Sequence, residues 1–221
     1  MIDRPALVAW RSKAPWPNVV QIEQDLLLSQ LMIEIARDET LGPELVMRGG
    51  TCLHKLHLPT PLRYSEDLDY VRSTRGGIKP YTQALAKIAE RVGLTVSGRQ
   101  RSGQMVHVCF DAQPTEGIGR IRIKIEMNIA ETEPHHPRIA LPRKVETSWW
   151  SGEADIPTFQ PSELLATKLR ALYQRSKGRD LFDLCLPAGY DPDTAADLVM
   201  RELGSRLRNS PPAEEIVPLG S

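Results

Sequence analysis

The chain has few cysteines, no long apolar run and no surplus of charge of either sign. Cys52, Cys109 and Cys185 are its whole cysteine complement. They are scattered, odd in number and form no CxxC pair. That excludes a disulfide framework and points to reduced thiols in a cytoplasmic protein. No apolar stretch approaches the ~20 residues a membrane span needs. The segment from Met1 to Pro17 carries Asp3, Arg4, Arg11 and Lys13, and it lacks the apolar centre of a signal peptide. Lys+Arg and Asp+Glu each total 28, so the net charge is zero. Coating a polyanion by bulk charge is thereby excluded, and any nucleic acid must meet a local basic patch. Internal repeats and long interdomain linkers are also missing. What is present is an ordinary globular composition of 221 residues, 41% hydrophobic and 25% charged. It suffices for one core with a small helical appendage.

Periodicity divides the chain into elements. Residues 1–17 read as an irregular lead-in, with Trp10 and Trp16 as anchors to the core. Apolar residues at helical spacing (Val19, Ile22, Leu26, Ile33) predict a helix from Asn18 to Arg37, with Asn18 as its N-cap. Leu45-Val46-Met47 reads as a short buried strand ending at Gly49-Gly50. Thr51 to His57 reads as a short helix, Glu66 to Arg72 as a strand, and Lys79 to Val92 as an amphipathic helix closed by Gly93. A hairpin is expected from Leu94–Arg99 and Gln104–Asp111. Residues 121–129 alternate, with Ile121, Ile123, Ile125 and Met127 on one face and Arg122, Lys124, Glu126 and Asn128 on the other. Residues 131–142 read as a loop. Helices are expected at 161–174, 180–186 and 194–208, followed by a mobile tail.

Two segments carry chemistry. In the first, Arg48-Gly49-Gly50-Thr51 precedes Ser65-Glu66-Asp67-Leu68-Asp69. On a strand, Asp67 and Asp69 point to one face, with Cα atoms roughly 6.5–7 Å apart. Two close carboxylates repel, and Mg²⁺ or Mn²⁺ bound to triphosphate oxygens is the natural compensating cation. Gly49 and Gly50 let backbone approach a phosphate, and the helix begun at Thr51 offers free N–H groups to an anion. Each motif alone is weak, since most DxD pairs are solvated. The value lies in their order: strand, glycine turn, short helix, loop, then DxD on the next strand. Glu126 is the candidate third acid from a neighbouring strand. The alternative is a solvent-facing glutamate paired with Lys124 or Arg122. In the second segment, Lys168, Arg170, Arg175, Lys177 and Arg179 outnumber the acids around them. Lys168 and Arg175 share a helix face. Asp180 and Asp183 follow, either as reactive acids or as buried partners that orient Lys168 or Arg175.

Taken together, Gly49-Gly50-Thr51, Lys55, Arg63-x-Ser65-x-Asp67-x-Asp69, Glu126 and Lys168 through Arg175 and Arg179 to Asp180 and Asp183 resemble the AbiEii/AbiGii-type nucleotidyltransferase toxins. The mycobacterial MenT toxins belong to that group. The resemblance covers Leu45 to Leu186. It implies an α+β fold: a nucleotidyltransferase-like mixed sheet of the DNA-polymerase-β type, flanked by helices, with an α-helical C-terminal part. The divisions expected are a core at 1–150, a helical subdomain at 151–208 and a tail at 209–221. The implied activity is that of a toxin from a toxin–antitoxin pair. It moves a nucleotide from an NTP, with release of pyrophosphate, to the 3′ end of tRNA, which blocks translation. The resemblance makes Asp67 and Asp69 metal ligands, with Glu126 beside them, and gives Asp67, Asp69, Lys168 and Asp183 catalytic roles. Gly49, Gly50, Thr51, Ser65, Lys168 and Arg175 bind the nucleotide. An added phosphate on Ser65 would exclude the triphosphate by charge and bulk, so Ser65 is the expected point of inhibitory phosphorylation by a cognate antitoxin acting as a kinase. A monomer without membrane association is expected. Transfer to a protein side chain, or a non-catalytic nucleotide-sensing module, are the alternatives. A zinc site is disfavoured because His135-His136 and the cysteines lack ligand spacing.

Overall fold

The structure, a computed structural model, describes residues 2–130, 135–175, 180 and 183–184. The chain divides into two compact units, Met1–Pro161 and Ser162–Ser221.

The first unit is a mixed sheet of seven strands in the order β3-β4-β5-β2-β1-β7-β6. The strands are β1 (Leu45–Arg48), β2 (Asp67–Arg72), β3 (Thr95–Ser102), β4 (Met105–Ala112), β5 (Ile121–Asn128), β6 (Ile139–Glu146) and β7 (Ser151–Thr158). The hairpin β3–β4 turns at Gly103, whose φ of 56° lies in the left-handed region that glycine tolerates. β5 runs antiparallel to β4 and parallel to β2, and β2 runs antiparallel to β1. The alternation expected in β5 is observed. Ile121, Ile123, Ile125 and Met127 are buried, while Lys124 and Glu126 stand half-buried on the other face.

Helix α2 (Val19–Arg37) lies against the apolar face, packing on β5, β6 and β7. Asn18 caps it through Val20 N–H at 2.9 Å. Almost every residue from Ile22 to Ile35 is buried, as a central helix requires. Helix α4 (Lys79–Arg91) covers a flank and ends at Gly93, whose φ is 78°. Among the described residues, no helix is long and apolar enough to cross a membrane.

Three local readings differ from the structure. Arg4–Trp10 is a helix, α1, within the segment read as irregular. The Asp3 carboxylate accepts from Ala6 N–H at 2.7 Å and Pro5 occupies the first turn, a capped start that the dense prolines obscured. Helix α3 begins at Gly49 rather than Thr51 and spans Gly49–Cys52, continuing into a π-helical turn at Leu53–His57. Ile139–Glu146 and Ser151–Thr158 are strands, although the first was read partly as loop and the second as the start of the helical part. Pro142 and Pro157 argue against strands by propensity. Pro142 is nevertheless tolerated because β6 is the outermost strand of the sheet. The first compact unit, which contains both strands, runs to Pro161.

The second unit begins with helix α5, Pro161–Arg175, as periodicity indicated. The expected helices at 180–186 and 194–208 and the tail at 209–221 lie outside the described residues, apart from Asp180, Asp183 and Leu184.

Candidate active site

Register places the acids. In the parallel pair β2–β5, Asp69 stands opposite Glu126 and Asp67 opposite Lys124. On the far side of β5, His107 stands opposite Glu126; on the far side of β2, Arg48 stands opposite Asp69. One cross-strand row thus reads His107, Glu126, Asp69, Arg48, on the sheet face away from α2. Side chains of neighbouring strands at the same register are close enough to interact directly. Asp67, Asp69 and Glu126 share this face, as their two-residue spacing required.

The glycine turn is built against this row. Gly49 has a φ of 85°, a conformation strained for any L side chain. A Cβ at Gly49 would also overlap the Asp69 carboxylate. The glycine therefore admits a carboxylate to the start of α3, besides any phosphate it admits. Thr51 is buried. Its hydroxyl donates to the Asp67 carbonyl at 2.5 Å and lies 2.7 Å from the Ser65 hydroxyl. Thr51 thereby ties the helix start to the loop and strand that carry Ser65 and Asp67. Cys52 and His54, on the same helical segment, are buried in structural contacts. The Cys52 thiol is 2.9 Å from the Thr158 hydroxyl, and His54 Nδ1 accepts from Leu62 N–H at 3.2 Å.

Lys124 stands among the acids. Its Nζ is 2.5 Å from Glu126 Oε1 and 3.6 Å from Asp67 Oδ2. Burial disfavours its charge, but the hydrogen bond to Glu126 and the charges of Asp67, Glu126 and Asp69 outweigh that and raise its pKa. Burial pushes the Glu126 pKa up. The Lys124 hydrogen bond and charge, then the His107 charge and a side-chain hydrogen bond with Asp69, prevail and lower it. His107 Nδ1 is 3.4 Å from Glu126 Oε1, near but outside hydrogen-bond geometry. Among the described residues, no three Asp, Glu, His or Cys side chains form a ready metal cluster. The donor set is nonetheless that of a hard divalent cation: three carboxylates on one face, with Asp69 and Glu126 in direct apposition. One ammonium, that of Lys124, is shared between two of them.

A second lysine, Lys55, is boxed into the interior of the same unit. Its Nζ donates to Asp25 Oδ1 at 2.7 Å and to Ser29 Oγ at 3.1 Å. The indole N–H groups of Trp10 and Trp16 reach Asp25 Oδ1 and Oδ2 at 2.9 and 3.1 Å. Arg143 donates to the Lys55 carbonyl at 3.0 Å and to Ser29 Oγ at 3.1 Å. The two tryptophans anchor the N-terminal segment, as expected, and they do so on a buried carboxylate. Trp16 also meets the Tyr64 ring edge-on at 5.8 Å, so the anchor touches the loop that carries Ser65.

In the second unit, Lys168 donates to Asp180 Oδ1 at 3.5 Å and pairs with Asp183 Oδ2 at 2.8 Å. All three side chains are buried. Of the two readings left open for these acids, the structure displays the orienting one: both hold Lys168. Arg175 closes α5, and its side chain lies outside the described ones.

Spacing alone located Asp67, Asp69 and Glu126. Lys124 entered only as one possible surface partner of Glu126, and His107 was missed. Both stand on the polar face of alternating strands, but only the register between strands shows that they meet the acids.

Residues 30–219 match the family described as nucleotidyl transferase AbiEii toxin, type IV toxin–antitoxin system. No curated protein matches the sequence significantly. Among solved structures, the chain is similar to MenT4, a nucleotidyltransferase toxin from Mycobacterium tuberculosis H37Rv. The TM-score is 0.66 and the identity 20%, covering 95% of this chain and 75% of that one. It is also similar to an H. pylori protein assigned as a nucleotidyltransferase. There the TM-score is 0.54 and the identity 14%, covering 89% of this chain and 87% of that one. At these identities the two structures speak for the fold, and the family match speaks for the activity.

Proposed function

The chain belongs to the AbiEii family of nucleotidyltransferase toxins of type IV toxin–antitoxin systems, and from that premise we propose that it transfers a nucleotide from an NTP to the 3′ end of tRNA, blocking translation in the cytoplasm. The observation that carries the reading is the apposition of Asp69 and Glu126 on adjacent strands, with Asp67 beside them and Gly49 set against Asp69. The acceptor hydroxyl attacks the α-phosphorus, the bond to the bridging oxygen of the β-phosphate breaks, and pyrophosphate leaves. Mg²⁺ or Mn²⁺, held by Asp67 and Asp69 with Glu126, supplies charge neutralisation for the triphosphate when bound.

The chain's own residues do the rest. Gly49 and Gly50 bring backbone N–H groups at the start of α3 to the phosphates, next to the acids. Thr51 fixes the Ser65 loop relative to Asp67 through the two contacts of its hydroxyl. Lys168 and Arg175 are assigned to phosphate and Asp183 to the late essential acid, on the family resemblance. The buried pairing of Lys168 with Asp180 and Asp183 supports an ammonium held in one orientation.

Ser65 is the proposed point of control, two residues before Asp67 and in contact with Thr51. A phosphate there would break that contact and place about two negative charges beside the acids. Intact-mass measurement after exposure to the cognate antitoxin should show an added phosphate lost in Ser65→Ala. An unmodified Ser65 would overturn the assignment.

The acceptor is tested by incubating the protein with each of four α-labelled NTPs, total tRNA and cell protein. Label in the tRNA fraction, at the 3′ end, is the expected result. Label confined to protein would replace tRNA by a protein acceptor. Nucleotide binding without transfer to either would leave only a sensing module.

A further inference from the structure

Lys124 stands among the acids, and the reaction described above does not use it. Its ammonium sits between Glu126 and Asp67, at 2.5 and 3.6 Å, on the strand position opposite Asp67. That is where a divalent cation shared by these carboxylates must also sit, since it needs the same oxygens. A lysine and a divalent cation cannot both occupy it: they repel each other, and each lone pair serves one partner. The ammonium is not locked in place. Its side chain is 36% exposed, against 5% for Lys55, and no other described contact holds its tip. A long flexible stem with an exposed end can swing aside without disturbing the sheet.

We propose that Lys124 is an internal counter-cation of the acidic site, which holds Asp67 and Glu126 together without metal and which a divalent cation must displace in order to bind. This rests on the reading of Asp67, Asp69 and Glu126 as a metal site. It makes Lys124 a positioning residue rather than a catalytic one. The exchange gives the acids a cation in both states: an ammonium before, a metal after. It also sets the metal affinity low in the absence of nucleotide, because part of the binding energy goes into moving the lysine. The freed ammonium is then available to the triphosphate, whose negative charge rewards its release.

The test is Mn²⁺ binding to the nucleotide-free full chain, read by electron paramagnetic resonance, with thermal unfolding in parallel. Lys124→Met should bind Mn²⁺ more tightly than wild type, on the order of tenfold, as expected for removing a like charge a few ångströms from the metal in a partly exposed setting. Lys124→Gln, which keeps polarity without charge, should tighten similarly, and Lys124→Arg should not. Without metal, Lys124→Met should melt below wild type because Glu126 and Asp67 lose the ammonium they share. Saturating Mn²⁺ should close that gap, which a merely structural lysine would not allow. Equal or weaker Mn²⁺ binding by both neutral variants overturns the proposal. Wild-type protein whose Mn²⁺ binding is absent, or is unaffected by Asp69→Asn, overturns the metal-site reading itself and the proposal with it.

Discussion

Two lysines of the N-terminal unit meet carboxylates in different surroundings. Lys55 and Asp25 lie in the interior, their side chains 5% and 4% exposed. Ser29, Trp10 and Trp16 engage the pair, and Arg143 joins it through Ser29 and the Lys55 carbonyl. Lys124 lies on the open sheet face, its side chain 36% exposed, and is shared between Glu126 and Asp67. In the first cluster each charge has its partners and the elements are locked: α1, α2, β6 and the turn after α3. In the second cluster the ammonium keeps an exposed end, which the proposed exchange with a divalent cation requires. A lysine–carboxylate pair is therefore architecture or chemistry according to how completely its hydrogen bonds are closed.

The comparison is broken most strongly at Lys55. Lys55→Met removes the ammonium that donates to Asp25, leaving the buried carboxylate with two indoles and the more distant Arg143, and should cost about 3 kcal/mol or more of stability, read by denaturant unfolding. A loss below about 1 kcal/mol would show that the interior cluster is not the lock described here. Gly49→Ala comes next. It forces an L side chain to a φ of 85° and into the Asp69 carboxylate. It should cost about 1–3 kcal/mol in stability, and nucleotide transfer should fall further than stability does because Asp69 is pushed aside. Equal transfer at equal protein concentration would separate Gly49 from the site.

The most gradual effect is on pH dependence. Burial, only partly offset by Asp25, lowers the Lys55 pKa from its ordinary 10.5 to about 8. Between those values the unfolded chain holds a proton that the folded chain has released. Stability from this group therefore rises with pH from about 8 towards 10, by no more than about 1.4 kcal/mol per pH unit. Subtracting the Lys55→Met profile from that of wild type isolates the contribution. A difference that falls over this window would contradict the assignment.

Much of the site was legible because strands repeat every two residues. Asp67 with Asp69, and Lys124 with Glu126, are assigned to shared faces by counting alone. The pairing of β2 with β5, which makes the two faces one surface, is a contact between segments over 50 residues apart, so no local pattern reveals it. Asp25 was hidden for a related reason: on a helix buried all round, an acid interrupts no stripe and signals nothing until its partners from α1 and the turn at Leu53–His57 arrive. β6 and β7 were concealed by Pro142 and Pro157, which local propensity counts against a strand; the outermost position of β6 accommodates the first. Gly49 was recognised for its freedom, but the group that needs that freedom, the Asp69 carboxylate, is visible only in three dimensions.

The central claim is that the open acidic row performs the chemistry while the closed cluster carries the fold. Asp69→Asn tests it most directly, because it keeps the volume against Gly49 and removes one charge. Nucleotide transfer to tRNA and thermal unfolding are measured on the same preparation. The account expects transfer to fall by more than about a hundredfold with unfolding close to wild type. Full transfer by a folded Asp69→Asn variant would contradict it.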